Sequence, residues 1–199
     1  MTISAKDVKA LRDRTGAGMM DCKKALQETD GEMEAAVDYL RAKGTAKAAK
    51  RSAKSANEGT VGSYLHFGGK IGVLVELNCE TDFVAKTDDF IELAKDLAMH
   101  VAAANPLSVS PDDIGEEVVE RERAIFLEQV KNEGKPDHIA DKIVEGKLRK
   151  FFEENSLLKQ PFVKDPQKSV EELITEVSAK TGEKIEVARF ARLQVGGDS

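Results

Sequence analysis

Two short runs of this chain have a hydrophobic period of two residues, and a glycine pair separates them. Alternate positions are Val61, Ser63, Leu65 and Phe67 in the first run and Ile71, Val73, Val75 and Leu77 in the second. Such alternation is typical of β-strands. Gly68-Gly69 between them supplies the positive φ angles of a tight hairpin turn, which predicts an antiparallel hairpin with a two-residue break. Ile185 and Val187 alternate in the same way and predict a third strand.

The residues before this hairpin have a helical pattern instead. Ser4, followed three residues later by Asp7, forms a near capping box for a helix over residues 4–14. Two further helices are predicted over Met19–Glu28 and over residues 32–43, the last ended by Gly44. Helices of about ten residues are marginal alone in water, so their apolar side chains must pack together. These include Leu11, Leu26, Val37 and Leu40.

Most of the chain between the second and third strands is also predicted to be helical. An apolar stripe of Phe90, Leu93, Leu97, Ala98 and Val101 predicts an amphipathic helix against the sheet. Residues 116–131 and 137–154 predict an antiparallel helical hairpin, and residues 170–180 a last helix. The fold class is therefore α+β. We expect a three-helix module over residues 1–44, a basic linker over 45–58, and a core over 59–199 with its hairpin at about 116–154.

Charge and composition exclude several classes of protein. The 30 Lys and Arg residues and the 36 Asp and Glu residues give a net charge of −6. The chain therefore lacks the overall positive charge that favours binding to nucleic acid or anionic lipid. Two cysteines form no disulfide framework, which fits a reducing compartment. No signal peptide or run of about 18 apolar residues is evident. We expect a soluble cytoplasmic protein that has no membrane or nucleic-acid partner.

One local exception is the run from Arg41 to Lys54, which holds six basic residues and no acidic one. A solvated connecting segment has this composition, and so does a segment that binds along the phosphate backbone of a nucleic acid. The alternative function is therefore an RNA-associated protein that uses this linker.

The common catalytic and cofactor motifs are absent from the sequence. It has no Walker A loop, dinucleotide fingerprint, zinc-protease motif or nucleophile elbow. The three histidines, His66, His100 and His138, have no spacing for shared metal ligation. Cys79, which is close in sequence to Asp82, could act as a nucleophile only if a base such as His66 lay beside it. A buried free cysteine more commonly acts as a small apolar residue. We expect no cofactor, no metal and no catalytic residue.

Two segments leave two interpretations open. In GAGMMD, Met19 and Met20 follow a Gly-Ala-Gly turn and either fill the module's core or face a partner. In NCETDFVAK, Thr81 or Asp82 either caps the next helix with Phe83 tucked inside, or Asp82 and Phe83 form an exposed pair. An exposed pair would present a charge and an aromatic wedge.

These segments, RDRTGAGMMDCKKAL and GVLVELNCETDFVAK, resemble bacterial elongation factor Ts, the guanine nucleotide exchange factor family for elongation factor Tu. The resemblance extends through GSYLHFGGKIGVLV, AMHVAAANP and EGKPDHIADKIVEGKLRKFFEENSLLKQPFVKD to the final strand. It implies a ubiquitin-associated-like N-terminal module and the short form of the family, with one core subdomain. It also implies a homodimer that binds elongation factor Tu in its GDP-bound and nucleotide-free forms.

The same resemblance implies roles for particular residues. Thr81, Asp82, Phe83 and Val84 would enter near the partner's Mg²⁺ site, Phe83 as a wedge and Asp82 as a disturbance of the magnesium environment. Met19 and Met20 would bind the partner's nucleotide-binding domain, and His66 would be a further contact. The implied function is promotion of GDP release, ended when GTP binding displaces the factor, with no bond made or broken.

Overall fold

Three helices form the N-terminal module: α1 (Ala5–Thr15), α2 (Met19–Glu28) and α3 (Met33–Arg51). The structure is a computed structural model that describes residues 3–51 and 53–197. Ser4 caps α1, and its side chain and that of Asp7 form the predicted capping box. The module has its own buried core, which confirms the expected packing of the three helices and consists of Val8, Leu11, Cys22, Ala25, Leu26 and Ala36.

Helix α3 does not end at Gly44, so that prediction is wrong. The helix continues to Arg51 and takes up seven residues of the predicted linker. A single glycine inside a helix costs about 1 kcal/mol relative to alanine, which neighbouring contacts can offset. Here Gly44 is buried, and a Cβ atom on it would lie 3.7 Å from the Cβ of Ala179. The side chains of residues 45, 47–50 and 52 lie outside the described residues.

Five strands follow in chain order: β1 (Glu58–Leu65), β2 (Ile71–Cys79), β3 (Pro161–Phe162), β4 (Asp165–Ser169) and β5 (Ile185–Gln194). Strands β1, β2 and β5 form an antiparallel sheet in the order β1-β2-β5, which confirms the predicted hairpin and third strand. Gly68 and Gly69 have φ angles of 85° and 69°. The connection nevertheless spans five residues, 66–70, rather than two, and at its base the His66 amide donates to the Ile71 carbonyl at 2.9 Å.

The described residues also form five further α-helices: α4 (Asp82–Ala85), α5 (Asp88–Ala104), α6 (Glu116–Asn132), α7 (Asp137–Asn155) and α8 (Val170–Thr181). The predicted stripe of α5 is buried along its length, from Phe90 to Val101. The helix lies so close to the sheet that a Cβ atom on Gly62 would fall 2.4 Å from the Ala94 carbonyl oxygen. Position 62 therefore excludes every larger residue.

The predicted helical hairpin is present as α6 and α7. Its buried contacts are Val130, Ala140, Val144 and Leu148. Lys147 on α7 donates a hydrogen bond to the Gln129 side chain on α6 at 2.9 Å. Gly134, with a φ angle of 66°, lies in the short connection between the two helices.

Strands β3 and β4 form a small antiparallel pair that the sequence pattern does not predict. Pro161 pairs with Ser169 and Phe162 with Asp165, with an irregularity between the two pairs. Buried His100 lies beside this pair: the Val163 amide donates to its Nδ1 at 3.2 Å, and its Nε2 lies 3.0 Å from the Gln160 side-chain oxygen. Because Nδ1 accepts a hydrogen bond, Nε2 carries the proton and donates to Gln160.

The described chain forms two structural units, each made of several segments. The first comprises the described residues of Met1–Thr60, Leu77–Leu93 and Glu172–Glu186, and the second those of Val61–Glu76, Ala94–Glu171 and Val187–Ser199. The N-terminal module and helix α4 therefore belong to the first unit. Within the described residues, no helix has the length and apolar character needed to cross a membrane.

Candidate functional site

The segment after strand β2 turns sharply into the four-residue helix α4. Thr81 is the N-cap residue, and its Oγ1 accepts a hydrogen bond from the Val84 amide at 3.5 Å. The side chain of Val84 is buried, whereas that of Phe83 is 80% exposed. Successive helical residues point about 100° apart, so Val84 in the core directs Phe83 away from it. The capping prediction is confirmed, and the expectation that Phe83 is tucked inside is wrong.

This turn is held by Glu183, which follows α8 by two residues. Glu183 Oε2 accepts hydrogen bonds from the amides of Glu80 and Thr81 at 3.1 and 3.0 Å. Glu183 Oε1 accepts one from the Thr81 hydroxyl at 2.7 Å. One carboxylate therefore fixes the two peptide groups that precede α4 and also the capping hydroxyl.

A second carboxylate, that of Glu80 in this turn, binds the backbone of the segment that follows Glu183. Glu80 Oε1 accepts a hydrogen bond from the Lys184 amide at 2.7 Å, and Glu80 Oε2 accepts one from Lys54 Nζ at 2.7 Å. The Lys54 hydrogen bond first, and then the Lys184 amide, lower the pKa of Glu80. Glu80 therefore stays ionised in neutral solution and keeps both partners.

Asp82 lies at the exposed start of α4. Its carboxylate accepts a hydrogen bond from Lys86 Nζ at 2.6 Å, four residues later along the chain. This hydrogen bond raises the pKa of Lys86. The side chains of Asp82 and Lys86 are 50% and 74% exposed, so water competes freely for the pair and the carboxylate stays accessible to another cation.

The two methionines at the start of α2 face outward. The side chains of Met19 and Met20 are 44% and 74% exposed, while Cys22, Ala25 and Leu26 of the same helix are buried in the module's core. The interpretation of the methionines as core residues is therefore wrong. Unbranched, polarisable side chains in this position are suited to an adaptable protein contact.

His66 belongs to the second unit, whereas the other candidate residues belong to the first. It is exposed at the end of β1, and its Nδ1 lies 3.1 Å from the Tyr64 hydroxyl oxygen. An exposed imidazole that is oriented by a neighbouring hydroxyl can offer its other nitrogen to a partner.

Cys79 has the environment of a structural thiol rather than of a nucleophile. Its side chain is fully buried, and its Sγ donates a hydrogen bond to the Thr81 carbonyl oxygen at 3.1 Å. Burial raises the pKa of Cys79, and the nearby charge of Glu183 adds to this effect. Because the thiolate is the reactive form, this environment argues against a cysteine enzyme.

The basic run from Arg41 to Lys54 is largely engaged within the protein, which removes much of the support for RNA binding. Four of its six basic side chains have partners in the first unit. Arg41 pairs with Glu172, Lys43 with Asp21 at 2.7 Å, Lys54 with Glu80 at 2.7 Å, and Arg51 donates to the Ser178 carbonyl at 3.1 Å. The side chains of Lys47 and Lys50 lie outside the described residues.

Among the described residues, no three His, Cys, Asp or Glu side chains are placed so that they could hold a metal ion together. The side chain of His138 is not among them. The candidate residues of the first unit expose an aromatic ring, two thioethers and a carboxylate, and His66 of the second unit exposes an imidazole. Groups of this kind can contribute to a protein contact.

The fold is α+β, and exposed aromatic, thioether and carboxylate side chains lie at or beside its short turns. The model of the protein family described as Elongation factor TS matches residues 8–197. The chain is 58% identical over 198 residues to "Elongation factor Ts" of Syntrophobacter fumaroxidans, covering 100% of this chain and 99% of that relative.

Other relatives that carry the same name are equally similar over nearly their full length. The chain is 59% identical to the one from Moorella thermoacetica, covering 98% of this chain and 96% of the relative. It is 57% identical to the one from Thermosipho melanesiensis, with 98% and 99% covered. The chain belongs to the elongation factor Ts family, whose members act in translation elongation.

Proposed function

We propose that this chain is the guanine nucleotide exchange factor for elongation factor Tu and acts in the cytoplasm. The observation that carries the proposal is Phe83, an aromatic side chain that is 80% exposed on a turn fixed by hydrogen bonds. Membership of the elongation factor Ts family supports the identity of the partner. The chain forms and breaks no covalent bond in this role and accelerates only the dissociation of GDP.

The proposed mechanism is a change in the partner's nucleotide site. Phe83 enters a pocket of elongation factor Tu that is open only when the Mg²⁺ and phosphate contacts are loosened, so its burial favours that state. The Asp82 carboxylate, accessible beside Lys86, presents a negative charge that disturbs the magnesium environment. Thr81 caps the turn, and Val84 anchors it from inside the protein.

Met19 and Met20 provide a second contact in this proposal, with the partner's nucleotide-binding domain. Their exposure at the start of α2 supports this role, because the rest of the helix packs against its own module. His66 provides a further contact from the second unit. These side chains contribute affinity, whereas Phe83 and Asp82 contribute the change at the nucleotide site.

Linkage gives this proposal a quantitative test. If the factor lowers the affinity of elongation factor Tu for GDP, then GDP must lower the affinity for the factor by the same ratio. Titration calorimetry would measure binding of the chain to nucleotide-free and to GDP-saturated elongation factor Tu. We expect tighter binding to the nucleotide-free form and displacement by GTP. Equal affinity for both forms would contradict exchange activity.

We also propose that the chain forms a homodimer. Large apolar side chains are exposed on all three strands of the main sheet in the second unit: Val61, Leu65, Leu74 and Leu193, from 53% to 76% exposed. Analytical ultracentrifugation should give twice the 21.7 kDa chain mass. Leu74→Glu should shift the equilibrium towards the monomer, and a wild-type chain that stays monomeric at high concentration would refute the proposal.

A further inference from the structure

Resting on the exchange function proposed above, we propose that Glu183 is the positioning residue that aims Phe83 at the partner. Helix α4 has only four residues, too few to hold its own orientation. Two groups fix it instead. Val84 is buried beneath it, and Glu183 binds the backbone in front of it.

Thr81 is the residue through which Glu183 acts. Its amide and its hydroxyl both donate to Glu183, and its carbonyl oxygen accepts from Cys79 Sγ at 3.1 Å. The hydroxyl donates its only proton to Glu183, so the Thr81 oxygen keeps its lone pairs for the Val84 amide. The carboxylate therefore orients the capping side chain, and the cap together with buried Val84 sets the direction of Phe83.

Glu183 is itself held firmly by the end of α8. Gly182, with a φ angle of 82°, ends the helix and donates to the Ser178 carbonyl at 3.0 Å. The buried Ser178 hydroxyl donates to the Glu183 carbonyl oxygen at 2.5 Å. The Glu80 side chain also binds the amide of Lys184. The backbone on both sides of the carboxylate is thus fixed, as the support of a pre-organised contact requires.

Glu183→Gln tests this assignment, because the variant keeps the size of the side chain but turns one acceptor into an amide donor. A hydrogen bond to a charged group is strong enough to change an equilibrium about tenfold. We expect GDP release at saturating factor to fall about tenfold, with little change in the dissociation constant for elongation factor Tu. The matched control is Glu171→Gln at the start of α8, which removes an exposed ion pair with Lys159 and should leave release unchanged.

A double-mutant cycle separates positioning from general damage to the protein. If Glu183 acts through Phe83, Glu183→Gln has no further effect on the release rate in a Phe83→Ala background. An equal loss in both backgrounds would overturn the assignment. The assignment would also be overturned if Glu183→Gln were fully active while Phe83→Ala was impaired, and the exchange function would then still stand. A wild-type chain with no activity would instead refute the exchange function.

Thr81→Val provides the same test from the other side of the interaction. It removes the hydroxyl that links Glu183 to the cap and leaves the carboxylate in place, so it remains informative if Glu183→Gln does not fold. Circular dichroism establishes that each variant is folded. We expect Thr81→Val to lose release activity only when Phe83 is present, and a loss independent of Phe83 would contradict the inference.

Discussion

Replacing Phe83 with alanine should slow GDP release from elongation factor Tu without weakening the free chain. Complete burial of a phenylalanine side chain is worth about 1.5–3 kcal/mol, and the exposed 80% of Phe83 accounts for about 1.2–2.4 kcal/mol of that. Since about 1.4 kcal/mol corresponds to a factor of ten, the rate at saturating factor should fall about 8- to 60-fold. Stability should change by less than about 0.5 kcal/mol, because the ring makes little contact in the free protein.

The assay is stopped-flow release of a fluorescent GDP analogue, with urea unfolding of each variant measured in parallel. Phe67→Ala is the matched control, since Phe67 is 97% exposed at the tip of the β1-β2 hairpin and lies outside the proposed wedge. The wedge mechanism is refuted if Phe83→Ala releases GDP at the wild-type rate. It is also refuted if Phe67→Ala loses as much activity, because the effect would then belong to any exposed aromatic side chain.

Three further predictions concern the chain itself. Cys79→Ala should keep most of the exchange activity in the GDP-release assay, whereas a cysteine enzyme would lose all of it. Ser4→Ala removes the α1 capping box and should lower the free energy of unfolding in urea by about 1 kcal/mol. Burial lowers the pKa of His100 from its usual 6.5. Just below that pH, His100 is therefore protonated in the unfolded chain but still largely neutral in the folded chain. Stability should therefore fall as pH drops below about 6.5, by at most about 1.4 kcal/mol per pH unit, and His100→Asn should lessen that slope in urea titrations.

Local sequence patterns predict the elements of this fold well because their causes are local. The Ser4 and Asp7 spacing specifies a helix start, and the stripe from Phe90 to Val101 specifies a buried helix face. Gly68-Gly69 identifies the hairpin because few other residues adopt two successive positive φ angles. Each signal operates over a few residues, so no knowledge of the rest of the chain is needed.

The errors have the opposite cause, because they depend on residues far away in the chain. The continuation of α3 through Gly44 involves packing against Ala179, which no window around Gly44 contains. The Thr81 cap is predictable, but its hydrogen bond to Glu183 joins residues 102 positions apart. The exposure of Phe83 follows from the burial of Val84 beside it, which sequence alone leaves open. The resemblance to a family supplied the candidate residues but not the carboxylate that positions them.

The most direct test of the central claim is GDP release from purified elongation factor Tu at fixed Mg²⁺, with increasing amounts of this chain. The proposed mechanism predicts a release rate that rises with factor concentration to a plateau, because the factor accelerates dissociation from within a complex. A release rate that stays at its spontaneous value at every concentration of folded chain would contradict it.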